Sequence, residues 1–117
     1  MKIGTDIIHI KRIETLIEKY GDTFKHKYLS KEEINLIKRA ETYAGFWAAK
    51  EAISKALGCG ICAELAFHDI IISKNHRGAP YFILSENAQN RHKIINSSLS
   101  ISHDGGFAIA VVALTTE

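Results

Sequence analysis

The spacing of apolar residues changes abruptly near position 10. Residues 2–10, KIGTDIIHI, are short and β-branched, which predicts a strand with one carboxylate, Asp6, among apolar neighbours. From Ile10 the period becomes helical. Ile10, Ile13, Leu16, Ile17 and Tyr20 recur at helical spacing, with Lys11, Arg12, Glu14 and Glu18 elsewhere on the surface and Gly21 as a stop. SKEEINLIKRA then opens a second helix, with Ser30 as N-cap and Glu33 at the capping-box spacing.

The longest helical segment falls at about residues 42–57, where Tyr43, Phe46, Trp47, Ile53, Ala56 and Leu57 predict a broad buried stripe and the alanines permit close backbone approach. Gly58 and Gly60 end it. LAFHDIIIS (65–73) predicts a strand, KNHRGAP a turn, and YFIL its hairpin partner. Ser85 can cap a short helix through ENAQNRHK. Two strands close the chain, SSLSISHD and FAIAVVALTT, joined at Asp104-Gly105-Gly106. In the first, Leu99 and Ile101 alternate with Ser98, Ser100 and Ser102. About five strands and three or four helices predict an α+β fold, a long central helix packed on a mainly antiparallel sheet. No linker or repeat divides residues 1–117, so one domain is expected.

Composition narrows the function. A formal net charge of +2 argues against wholesale nucleic-acid binding, and no stretch approaches the roughly 20 apolar residues of a membrane helix. No signal-peptide pattern opens the chain, so the cytoplasm is the default location. Cys59 and Cys62 are too few for a disulfide framework or a zinc site and are expected as buried or partly buried thiols. Residues 11–39 carry eight Lys/Arg against five Asp/Glu, a locally basic front that could steer an acidic partner or be ordinary solvation.

Four polar residues need a reason. Asp6 in an apolar strand is costly unless it is paired or at an edge. Glu51 and Lys55 stand i,i+4 and could be a surface ion pair. They could equally join Asp6 around a hard cation and its phosphates, the carboxylates giving oxygen ligands and the lysine neutralising phosphate charge. His103 ends a strand in SISHDGG. Ser102-His103-Asp104 is no protease triad, because adjacent strand residues face opposite ways. GCG lacks the ending of a P-loop and follows a helix instead of preceding one. The basic residues of KNHRGAP, Arg77 among them, are either a phosphate contact or part of a soluble turn.

In order along the chain, IGTDIIHIKRI (3–13), FWAAKEAISKALGCGI (46–61), GAPYF (78–82) and SLSISHDGGFAIAVV (98–112) resemble the holo-[acyl-carrier-protein] synthase family, the small bacterial-type 4'-phosphopantetheinyl transferases. The resemblance implies transfer of phosphopantetheine from coenzyme A to a serine of apo acyl carrier protein, with magnesium, releasing adenosine 3',5'-bisphosphate. It implies magnesium ligation by Asp6 and Glu51, catalysis by Glu51 and Lys55, coenzyme binding by Lys55, His103 and Arg77, and carrier docking by Arg12. It also implies a homotrimer with sites between subunits. Three positions depart from the family pattern. Phe46 replaces a common arginine, for which Lys38 or Arg39 could substitute; Ala79 replaces a basic residue, for which Arg77 could; and Cys59 replaces a threonine. Lys50 has no assigned role. A non-enzymatic assembly subunit and a coenzyme-binding regulator are the rival readings of the same residues.

Overall fold

The computed structural model describes residues 1–117. Strand β1 (Lys2–His9) runs straight into helix α1 (Ile10–Tyr20), followed by α2 (Asp22–Tyr28), α3 (Lys31–Leu36) and the long α4 (Ala40–Ala56). After a loop come the hairpin β2 (Ile70–Lys74) and β3 (Pro80–Leu84), α5 (Glu86–His92), and the closing strands β4 (Ile94–Asp104) and β5 (Phe107–Thr116). The strands form two antiparallel sheets, one ordered β1-β5-β4 and the other the β2-β3 hairpin. This is the expected α+β arrangement, with α4 packed on β1 and β5.

Small residues set how closely helix and sheet approach. Ala44, Ala48, Ala49, Ala52 and Ala56 of α4 are buried, and they meet Ala108 and Ala110 on the inner face of β5. Gly4 of β1 makes the closest approach: a Cβ there would lie 1.9 Å from the Ala52 carbonyl oxygen and 2.8 Å from the Ala56 nitrogen. Those are backbone atoms of the helix, so they cannot rotate away. The absence of a side chain at Gly4 therefore sets the spacing between β1 and the second half of α4.

Three elements differ from the expectations. Helix α2 was hidden in the sequence because it is barely two turns long and is interrupted by Lys25, His26 and Lys27. Gly21, at φ +57°, turns the chain out of α1, and Phe24 and Tyr28 then bury themselves one helical turn apart. With α2 counted there are five helices. The strand expected from residue 65 begins only at Ile70, because Phe67–Asp69 forms a 3-10 turn. Asp69 holds that turn, accepting from the Ala66 N–H at 2.9 Å and from the Ser85 hydroxyl at 2.7 Å. The buried stripe of α4 is also wider than predicted: Tyr43, Trp47 and Leu57 are only half-buried, whereas Lys50 and Ser54 are closed off completely.

Several local expectations hold, although Cys62, expected as a buried or partly buried thiol, is exposed. Ser30 and Glu33 form a reciprocal capping box, and the Ser85 hydroxyl caps α5. Gly58 carries φ +82° at the end of α4. No helix is long and apolar enough to cross a membrane.

Candidate active site

Asp6 lies on β1 opposite Ala110, two residues beyond Gly4 and therefore on the same sheet face, the face turned to α4. Because Gly4 lets the helix come close, Asp6 meets the last two turns of α4. The Lys55 ammonium donates to Asp6 Oδ1 at 2.8 Å and to the Thr5 carbonyl at 3.1 Å. Thus the cation that sequence spacing offered to Glu51 is taken by Asp6, 49 residues away along the chain. Glu51 stands one helical turn before Lys55, close enough for the Asp6 charge to act on it. Burial, then that neighbouring negative charge, push the Glu51 carboxyl above its ordinary value, while Lys55 and Arg12 pull it back. Asp6, Glu51, Lys55 and Arg12 thus form one electrostatic unit drawn from β1, α1 and α4. A cleft of about 340 Å³ opens over it, lined by Thr5, Asp6, Ile7, Lys55 and Ile109.

His103 belongs elsewhere. In the β4–β5 register it pairs with Ala108, so it shares a face with Leu99 and Ile101, while Ser98, Ser100 and Ser102 line the opposite face. It opens onto a second cleft of about 140 Å³ together with Arg39, Lys74, Gly45, Phe46 and Ile101. Gly45 lies close against Ile101 there: a Cβ would sit 2.9 Å from Ile101 Cγ2, so that side chain would have to shift. Of the two residues proposed to replace the missing arginine at Phe46, Arg39 lines this cleft and Lys38 does not. Arg77 is at the exposed tip of the β2–β3 turn and is not part of the lining. The turn is held by Asn75 Oδ1, which accepts from the Arg77 and Ala79 N–H groups at 2.8 and 3.0 Å.

Lys74, the last residue of β2, opens KNHRGAP, the basic stretch read as a phosphate contact or a soluble turn, but only Arg77 was singled out within it. Lys50 was missed for a different reason. Adjacent helical residues are about 100° apart, so Glu51 can face Asp6 and Lys55 only while Lys50 turns inward. There Lys50 Nζ donates to the Tyr28 carbonyl at 2.6 Å, Glu33 Oε1 at 2.9 Å and the Phe67 carbonyl at 3.1 Å.

A small helix-backed antiparallel sheet thus carries two carboxylates beside a lysine and, apart from them, a basic cleft. The chain belongs to the 4'-phosphopantetheinyl transferase superfamily, whose family model matches residues 2–112. A holo-[acyl-carrier-protein] synthase from Sulfurovum sp. is 67% identical over 117 residues, covering 100% of this chain and 98% of that protein. The crystal structure of Helicobacter pylori holo-[acyl-carrier-protein] synthase in complex with coenzyme A superposes with a TM-score of 0.93 at 46% identity, over 97% of this chain and 99% of that one. A Bacillus anthracis holo-(acyl-carrier-protein) synthase in complex with CoA (3',5'-ADP) superposes with a TM-score of 0.83 at 39% identity, over 99% and 96% of the two chains.

Proposed function

We propose that this enzyme transfers the 4'-phosphopantetheine arm of coenzyme A to a serine of apo acyl carrier protein, with magnesium held by Asp6 and Glu51, as a single-domain protomer of a cytoplasmic homotrimer. The observation that carries the proposal is the convergence of Asp6, Glu51 and Lys55, which come from distant parts of the chain.

The donor set fits magnesium. Asp6 and Glu51 offer hard carboxylate oxygens, and no group of three His, Cys, Asp or Glu side chains arranged to hold a metal occurs in the chain. Two carboxylates leave most of a six-oxygen shell to water and substrate phosphates, the preference of this ion. The like charges of Asp6 and Glu51 also give a cation a role in the ground state. When bound, magnesium supplies positive charge to the pyrophosphate oxygens.

The chain's own groups do the rest. The carrier serine oxygen forms a bond to the β-phosphorus as the bond from that phosphorus to the bridging oxygen breaks, and adenosine 3',5'-bisphosphate leaves. Glu51, whose affinity for a proton burial has raised, accepts the serine proton directly or through water. Lys55 offsets the charge that develops on the leaving phosphate. His103, Arg39 and Lys74 bind the phosphate-bearing nucleotide end, with Arg77 adding positive charge at the exposed turn nearby. Arg12, exposed on α1 and acting electrostatically on Glu51, meets the acidic carrier protein at the edge of the site.

Two features support the trimer. The outer face of the β1-β5-β4 sheet exposes Ile3, Ile7, Phe107, Ile109 and Val111, an apolar strip on a sheet of only three strands. The carboxylate cleft opens onto that strip, since Ile7 and Ile109 belong to both. Within one chain the carboxylate cleft and the basic cleft share no lining residue, and the basic cleft is small for a nucleotide. A neighbouring copy seated on the strip would cover the apolar surface and bring its own basic cleft to the carboxylates.

The test is incubation with coenzyme A, magnesium and apo acyl carrier protein, followed by intact mass measurement of the carrier. A gain of one phosphopantetheine group on its serine is expected. An unmodified carrier overturns the assignment.

A further inference from the structure

Lys50 has no direct part in the transfer reaction, yet it shares α4 with Lys55 and its ammonium is fully satisfied. Its three hydrogens go to the Tyr28 carbonyl, Glu33 Oε1 and the Phe67 carbonyl. Those acceptors lie on α2, α3 and the 3-10 turn before β2, three separate segments. Glu33 is fixed in turn by the Ser30 and Ile72 N–H groups. The other side of α4 is built differently. Ala52 lies about 200° round the helix from Lys50, and Ala48 about 160°. There the alanines of α4 are buried against those of β5 and against Gly4 of β1. Such small side chains permit close approach but offer low ridges to interlock, and apolar burial is non-directional. They set how near α4 lies to the sheet and leave its rotation about its own axis to be fixed elsewhere. Hydrogen bonds are directional and weaken steeply off line. The three at Lys50 act on that rotation from the far side of the helix.

Rotation matters at Lys55, whose ammonium must reach Asp6 Oδ1 at 2.8 Å and the Thr5 carbonyl at 3.1 Å on β1. Turning α4 by about 25° would carry the Lys55 Cα about 1 Å round the helix. We propose that the closed Lys50–Glu33 pair is a positioning device for the transfer reaction, setting the rotation of α4 so that Lys55 is presented to Asp6 and the cleft beside it. Lys50 does not line that cleft and acts through Lys55. That role rests on Lys55 offsetting charge on the leaving phosphate, as proposed above.

The experiment follows Lys55 in two ways, on full-length chains at a temperature where circular dichroism shows each variant folded. Competitive acetylation with acetic anhydride, mapped by mass spectrometry, reads the Lys55 amine without reference to catalysis, with the exposed Lys93 as internal standard. In Lys50→Met the rate at Lys55 relative to Lys93 should rise at least about threefold, because the ammonium has left its two oxygen partners. At saturating coenzyme A, carrier and magnesium, kcat should fall at least about tenfold, with both Michaelis constants within about twofold of the parent. In a Lys55→Met background the same substitution should lower kcat by no more than about threefold, since the group it positions is gone. Leu84→Ala, a core deletion on β3 outside both clefts, should move neither reading. Where Lys50→Met does not fold, Glu33→Gln, which keeps both carbonyl acceptors of Lys50, should shift both readings the same way. Unchanged acetylation of Lys55, an equal fall in kcat with and without Lys55, or equal shifts in Leu84→Ala overturn the proposal. Faster acetylation with unchanged kcat shows instead that Lys55 has no part in transfer, which overturns that reading and the proposal with it.

Discussion

Lys50 Nζ lies 2.9 Å from Glu33 Oε1, and neither side chain reaches solvent. Glu33 is satisfied on every side. Its Oε1 also accepts from the Ser30 N–H at 2.8 Å, and its Oε2 from the Ile72 N–H at 2.9 Å, so one carboxylate ties α3 to β2. Lys50 ties α4 to the end of α2 and to the 3-10 turn before β2. Burial pulls the Lys50 ammonium below its ordinary value, and Glu33 opposes that pull. Removing one member strands the other charge. Lys50→Met should therefore destabilise the fold by about 3–5 kcal/mol. Adding Glu33→Gln should recover part of that loss, measured as the shift in urea midpoint across the double-mutant cycle.

Gly4 places β1 against Ala52 and Ala56, and through that approach brings Asp6 to Lys55. In Gly4→Ala the new methyl must push the helix away. A misplacement on the order of 1 Å at a phosphoryl-transfer site can reduce kcat about 100-fold. Transfer rates for the variant, with circular dichroism to show that the helices persist, separate this effect from unfolding.

Asp6→Asn removes one of the two carboxylates proposed to hold magnesium and frees Lys55 from its partner. The magnesium concentration for half-maximal transfer should rise by at least about tenfold, with the Michaelis constant for carrier protein little changed. A magnesium titration at saturating carrier and coenzyme A measures it. An unchanged midpoint would remove Asp6 from the metal site.

Arg12→Glu reverses a charge at the edge of the site on the basic front of the molecule. The Michaelis constant for acyl carrier protein should rise on the order of tenfold and more than that for coenzyme A, with a weaker dependence on salt. Equal changes in the two constants would show that Arg12 acts through Glu51 and does not dock the partner.

Val111→Glu puts a charge in the middle of the exposed apolar strip, on the opposite sheet face from Asp6 and outside the lining of either cleft. If the proposed trimer forms, sedimentation should shift from three protomers to one, and transfer activity should fall with it, because each protomer would then lack the basic cleft of its neighbour. A monomeric variant with full activity would show that one chain holds a complete site.

Much of this architecture is local and so could be read from the residues. The change of period at Ile10, the Ser30–Glu33 box, the Ser85 cap and the alternation around Leu99 and Ile101 are each written within a few positions, because helix and strand periods and cap geometry act at that range. Asp6 stood out because a carboxylate among apolar neighbours needs a partner, Glu51 and Lys55 for their i,i+4 spacing, and His103 for its place at the end of a strand. A cation site joining Asp6, Glu51 and Lys55 was one of two readings, beside a Glu51–Lys55 ion pair. Lys55 had two possible anions, and only the approach of β1 to α4 at Gly4 decided for Asp6.

The sequence alone determined the order of elements, the family resemblance and the set of polar residues with chemistry to do. The tertiary structure decided which of them meet. It separated His103 from the carboxylates, put Arg39 and Lys74 beside it, and turned Lys50 inward to Glu33. The reason is physical: helical and strand phase fix where side chains stand on one element, but the packing partner across the core decides which phase is buried. For Lys50 and Glu51, adjacent on α4, that packing sends one charge into a closed ion pair and the other toward Asp6 and Lys55.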